Sequence, residues 1–319
     1  MFVHKYFLGY SAFHFSKSRK FIDNNMKHNK IKGILLIILA ASSFGCIPLF
    51  ATTAYKGGFN PFSFSLFRCM FTAAIIFCIL KAQKKSIAIR KDQILPVFNA
   101  SFFGYFLMML TLFASYNHMA TGLATTLHFI YPVATMAGAV LFYKEKASFL
   151  QIGALAISII GIYFLVGIDT SGDFTFTGFM LALVSGLFYA YYILVVSHGT
   201  LKKMGSFFLV FYITLFNTVT LTVTSLATGN LSLDITLTGI MATVMVALIS
   251  SVIGMVAFQA GLQEISATTA TILSTFEVLT SLVIGISLLG EILSYYQIAG
   301  SILIIFSVVA VGFAEKKED

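Results

Sequence analysis

Ten apolar runs, separated by short polar breaks, leave this chain few ways to fold. They lie near residues 33–55, 62–80, 94–116, 119–143, 149–168, 176–197, 206–228, 236–262, 265–289 and 293–314. A helix needs about 20 apolar residues to cross the hydrocarbon of a bilayer. In lipid a helix also satisfies its own backbone polar groups, which an open strand does not. Composition agrees: 58% hydrophobic residues, 10% charged residues and a mean hydropathy of +0.94 exclude a soluble domain. With four prolines and only short loops between runs, no soluble domain is inserted. The expected architecture is an all-α integral membrane bundle of ten transmembrane helices.

Lysine and arginine set the orientation, because they are retained on the cytoplasmic side of short loops. With the N-terminus inside, 18 of the 20 basic residues fall in cytoplasmic segments. Lys56 alone falls outside, and Arg68 lies within the second run. Asp169, Asp173 and Asp234 fall in outside loops, so a multi-pass cell-membrane protein with both termini cytoplasmic is expected. The +8 charge is thus a topology signal, and no nucleic-acid-binding motif accompanies it. Residues 1–32 carry no small-residue cleavage pattern, so the first run should remain as an anchor. Residues 1–25 read either as a basic segment lying on the surface or as sequence upstream of a native start at Met26, and the second reading is preferred. Cys46, Cys69 and Cys78 lack paired ligand spacing and are expected to pack in the interior.

The chain repeats itself at an offset of 146 residues. Ala124 falls on Ala270, Thr125 on Thr271, Leu127 on Leu273, Glu145 on Glu291, Ser148 on Ser294 and Gln151 on Gln297. Each copy holds five runs. Because five is odd, the second copy must enter the membrane from the opposite side, which gives two inverted five-helix repeats. The boundaries read as a basic segment 1–32, repeats 33–168 and 176–314, and a tail 315–319. Inverted repeats of this kind build secondary transporters, with the substrate site near the midplane between the halves.

Glu277 interrupts the ninth run about eleven residues from either end, ~16 Å deep at 1.5 Å per residue. A carboxylate there costs about 3 kcal/mol or more unless it faces a polar cavity. It could bind a cationic amine, or take up and release a proton as the cavity opens to each side. Tyr131 occupies its repeat position, followed by Pro132, which frees backbone groups able to line a cavity. Arg68 stands about six residues inside the second run, where it faces the pathway or snorkels to the headgroups. His128 is a candidate proton acceptor or a buried hydrogen-bonded side chain, and Tyr105, Tyr189 and Tyr192 are candidate path-lining aromatics. Glu145 and Glu291 close the fourth and ninth runs and read as helix-end structure. Ala41/Gly45, Ala100/Gly104 and Ala134/Gly138 read as close helix packing.

The register of Thr121-Gly122-Leu123-Ala124, Tyr131-Pro132-Val133 and Lys144-Glu145-Lys146, with Ser266-Ala267, Phe276-Glu277-Val278 and Leu289-Gly290-Glu291, resembles the EamA family of the drug/metabolite transporter superfamily. Asn60-Pro61 with Arg68, and residues 187–192, are similar to its second and sixth helices. Phe44-Gly45 stands where that family often has Trp-Gly, which makes Phe44 a further candidate at the site, and Val278 stands where proline often follows the glutamate. The resemblance implies export of small metabolites, often amino acids, by alternating access, with no cofactor or metal. Small-molecule substrate, membrane lipid and protons are the implied partners. An enzyme would need a second mid-span acid or a nucleophile with its base, and the runs show none. A phosphorylated-sugar or nucleotide-sugar exchanger should present several intramembrane cations, whereas Arg68 is alone. A channel would show a filter sequence, and none is recognisable.

The charge bias and the odd-numbered repeat together fix the sidedness of every loop. Reporter fusions at Asp173 and at Lys202 should label from opposite sides of the membrane, and labelling from one side would undo the duplication.

Overall fold

The computed structural model describes residues 29–119, 121–166, 175–289 and 294–317. The first 28 residues, Asp169, Asp173 and Glu291 lie outside them. The helices of more than one turn are α1 (Asn29–Lys56), α2 (Pro61–Ala82), α3 (Lys91–Ser115), α4 (Thr121–His128), α5 (Tyr131–Tyr143), α6 (Phe149–Val166), α7 (Phe176–Ser197), α8 (Ser206–Thr228), α9 (Leu237–Glu264), α10 (Ala267–Ser274), α11 (Phe276–Leu289) and α12 (Tyr295–Lys317), and a single turn Gly199–Lys202 joins α7 to α8. Among the described residues seven helical stretches are long and apolar enough to cross a membrane, and three further apolar helices are shorter: Tyr131–Tyr143, Phe149–Phe164 and Ile298–Phe313.

Two of the runs expected from sequence are not continuous helices. The fourth breaks at Phe129 and Ile130, between α4 and α5, and the ninth breaks at Thr275, between α10 and α11. The breaks are equivalent in the repeat but differ in chemistry. In the first half Pro132 sits in the opening turn of α5, where its missing N–H costs nothing. In the second half no proline is present, and hydroxyls compete for the backbone instead. Thr271 donates to Thr268 O at 3.0 Å, Ser274 to Thr271 O at 2.8 Å and Thr275 to Ile272 O at 2.7 Å. Such bonds to the preceding turn bend helices. α1 is interrupted as well, by a turn at Gly45 and Cys46 ahead of Pro48.

The repeat holds element by element. Shifting by 146 carries α2 onto α8, α3 onto α9, α4 onto α10 and α6 onto α12, each to within a few residues. α3 and α9 each contain a stretch of π-helix, Ala100–Phe106 and Ala247–Met255, at overlapping repeat positions. Packing obeys a two-fold exchange: α6 lies on α12, α2 on α8, α3 on α7 and α9 on α1. Glycines set the close approaches. A Cβ on Gly104 of α3 would meet Tyr192 Cβ of α7 at 2.7 Å, and one on Gly254 of α9 would meet the Phe44 ring of α1 at 2.9 Å. Gly45 and Gly138 likewise approach Thr280 and Leu194, so the small residues noted in sequence do sit at helix contacts.

Different interactions close the two ends of the bundle. Near Lys56 the halves join through backbone: Thr236 N–H donates to Gly57 O at 2.9 Å, Ser232 Oγ to Gly58 O at 2.7 Å and Asn60 Nδ2 to Asn230 O at 2.8 Å. Near Lys32 charged side chains join them: Lys32 pairs with Glu264 at 3.2 Å, and His198 Nε2 with Glu145 Oε1 at 3.0 Å. Of the cysteines, Cys69 is buried as expected, whereas Cys78 is exposed and Cys46 is half-buried, its thiol turned back onto Ser42 O of its own helix at 3.4 Å.

At the α6–α12 contact a Cβ on Gly161 would lie 2.9 Å from Gly300 O, whereas one on Gly153 of the same helix meets nothing within 4 Å. Gly161→Ile should therefore cost about 1–3 kcal/mol by overpacking. Thermal unfolding in detergent should show a lowered midpoint for Gly161→Ile and little change for Gly153→Ile.

Candidate functional site

The two helix breaks bring Tyr131 and Glu277 to the middle of the bundle, each in the first turn of its half-helix. A helix N-terminus carries partial positive charge, so the first turn of α11 is a favourable seat for a carboxylate. Glu277 lies deep in the bundle yet is only half-buried, which is the combination expected of a group lining internal space. Among the described residues no Lys, Arg or His pairs with it. Tyr105, Tyr131 and Tyr189 are close enough to interact electrostatically with its carboxylate.

Around it stands a connected set of aromatic rings. Tyr131 meets Tyr189 edge-on at 4.8 Å, Tyr189 stacks on Tyr192 at 6.0 Å, and Tyr192 lies 5.6 Å from Tyr105. His128 stacks on Tyr189 at 5.7 Å. Three of the polar tips have side-chain partners. Tyr131 OH shares a 2.9 Å hydrogen bond with Ser274 Oγ, which ties the first half's break to the second's. His128 Nδ1 lies 2.8 Å from Ser185 Oγ. Ser185 itself donates to Ala182 O, so Nδ1 is the donor in the bond between them. Gln259 Nε2 donates to Tyr192 OH at 2.7 Å.

Arg68 does not snorkel. It is buried, and Nη2 donates to Tyr105 OH at 2.5 Å, which turns the guanidinium inward from α2 toward the tyrosines. Its Nε has no hydrogen-bond partner. Phe44 lies 6.1 Å from Phe258 and against Gly254 of α9. The other seven side chains singled out from sequence are neighbours in space, although they come from α2, α3, α4, α5, α7 and α11. Glu145 stands apart at the Lys32 end, where it pairs with His198, and His198 stacks on Tyr143 at 3.7 Å.

Sequence reasoning missed Gln259, Ser274 and Ser185. Gln259 carried a signal, since it is the single side-chain amide in the run 236–262 and an unpaired amide in lipid is costly. The serines carried none, because a serine in a membrane helix can satisfy itself on its own backbone.

The chain matches the EamA-like transporter family twice, over residues 31–167 and 176–313, and it belongs to that family. A solved crystal structure matches with a TM-score of 0.77 at 13% identity, over 91% of this chain and 99% of that one, which shows a shared fold. No curated protein matches the sequence.

The Gln259–Tyr192 bond is buried on both sides. Gln259→Leu leaves the Tyr192 hydroxyl unpaired and should cost about 1–3 kcal/mol. Adding Tyr192→Phe should return part of that loss, and a double-mutant cycle on thermal stability reads the difference.

Proposed function

From membership of the EamA-like transporter family we infer that the protein is a secondary transporter, working as an exporter, of small amines and amino acids. Ten spans in two inverted repeats, with both termini cytoplasmic in the cell membrane, enclose a central site that opens alternately to each side. The observation that carries this reading is Glu277: an acid in the first turn of a mid-bundle half-helix, ringed by tyrosines and without a basic partner among the described residues. Such an acid is a seat for an ammonium group, whose charge the faces of Tyr131, Tyr189 and Tyr192 also attract. With the seat empty, the carboxylate can carry a proton across instead, which couples export to a pH gradient.

Alternating access then consists of exchanging occupants at one acid. Opening to the cytoplasm admits the amine, and opening to the far side lets a proton displace it. The charged ties near Lys32 and the backbone ties near Lys56 are the contacts that each opening must break.

The test is transport in proteoliposomes against a panel of amino acids and small amines, with and without an imposed pH gradient. Glu277→Gln keeps the shape and removes the charge. Gradient-driven flux should fall at least tenfold at wild-type abundance. Exchange at equal pH persists if the residue couples protons and is lost if it seats the amine. Normal gradient-driven flux in this variant would end the assignment.

A further inference from the structure

Arg68 is a buried cation for which the acid just described does not account. It is 8% exposed, its Nε is unpartnered, and no carboxylate lies within ion-pair distance among the described residues. A membrane-interior guanidinium left without an anion is costly, so its retention calls for a charge to meet it. Its one side-chain partner, Tyr105, is neutral, and the bond to Tyr105 fixes the direction in which the guanidinium points. That direction is toward the tyrosines of the central site, because Tyr105 packs on Tyr192.

Tyr105 and Tyr189 interact electrostatically with Arg68 on one side and with Glu277 on the other. Arg68 and Glu277 themselves form no ion pair. Each is the natural complement of one end of a zwitterion. Resting on the reading of Glu277 as the seat of an amine, we propose that the Arg68 guanidinium is the subsite for the substrate's carboxylate, so that the transported class is amino acids carrying both charges and simple amines are poor substrates. Guanidinium suits this role because its planar fork matches a carboxylate with two parallel N–H donors. Nε has no partner in this structure, and Nη2 beside it is held only by the neutral Tyr105 hydroxyl, so a carboxylate that takes the place of that hydroxyl meets both donors.

The experiment measures inhibition of labelled amino-acid uptake in proteoliposomes of the full-length wild-type chain, comparing each transported amino acid with its own carboxamide. The carboxamide keeps the ammonium and loses the negative charge. It should inhibit at least tenfold more weakly than the free acid. In Arg68→Gln the ratio of the two inhibitory concentrations should collapse toward one, with Arg68→Lys intermediate; a residue that merely holds the fold would lower uptake and leave the ratio unmoved. If Arg68→Gln does not accumulate, the wild-type ratio still decides. Equal inhibition by acid and carboxamide, or saturable uptake of amines alone, would overturn the carboxylate subsite while leaving the amine seat standing. Absence of saturable uptake for every amino acid and amine would overturn both.

Discussion

Inside lipid every backbone N–H and C=O must find its partner within the protein, and the rest of this structure follows from that requirement. Helices meet it everywhere except where they break, so a break is tolerated only where neighbouring protein covers it. Here the breaks between α4 and α5 and between α10 and α11 fall at equivalent positions of the repeat and face each other across the bundle. The turn freed at the second break is met by Ser and Thr hydroxyls, Tyr131 of the first break bonds one of them, and a polar centre forms where these helices are interrupted. The π-helical stretches of α3 and α9 sit beside it, carrying Tyr105 and leading to Phe258 and Gln259. Irregular backbone and chemically capable side chains are therefore the same region of the molecule.

Two-fold packing explains why that centre is polarised. Positions related by the repeat need not hold the same residue: Tyr131 stands where the other half has Glu277, and Arg68 stands where it has Thr214. A duplicated scaffold thus supplies matched geometry while the side chains supply opposite charges at different places. The tyrosines between them fill the space with groups that are apolar on their faces and polar at their tips, which suits a surface that must hold a ligand and release it.

Much of this was legible in the sequence. Helix positions followed from hydrophobic runs, the repeat from residues such as Glu145/Glu291 and Gln151/Gln297, and the central position of Glu277 from the cost of placing an acid in lipid. The fate of Arg68 was not legible, because snorkelling and burial differ only in whether another helix offers a partner, and Tyr105 is 37 residues away in the chain. Nor was the break at Thr275, since serine and threonine are ordinary in membrane helices until the three-dimensional fold decides whether their hydroxyls face a neighbour or their own backbone. Pro132 marked freed backbone groups at the equivalent position of the first half, because its effect is covalent and needs no neighbour, although the run around it reads as continuous.

That contrast between the two breaks divides the labour of the halves. A pyrrolidine ring has no N–H to give back, so the α4–α5 discontinuity is written into the covalent chain. The hydroxyls of Ser274 and Thr275 hold carbonyls of the preceding turn by hydrogen bonds, and the main chain at Thr275 keeps its own N–H, bonded to Ile272 O. Since Ser274 is also the hydrogen-bond partner of Tyr131, a ligand that displaces that one bond reaches both breaks at once.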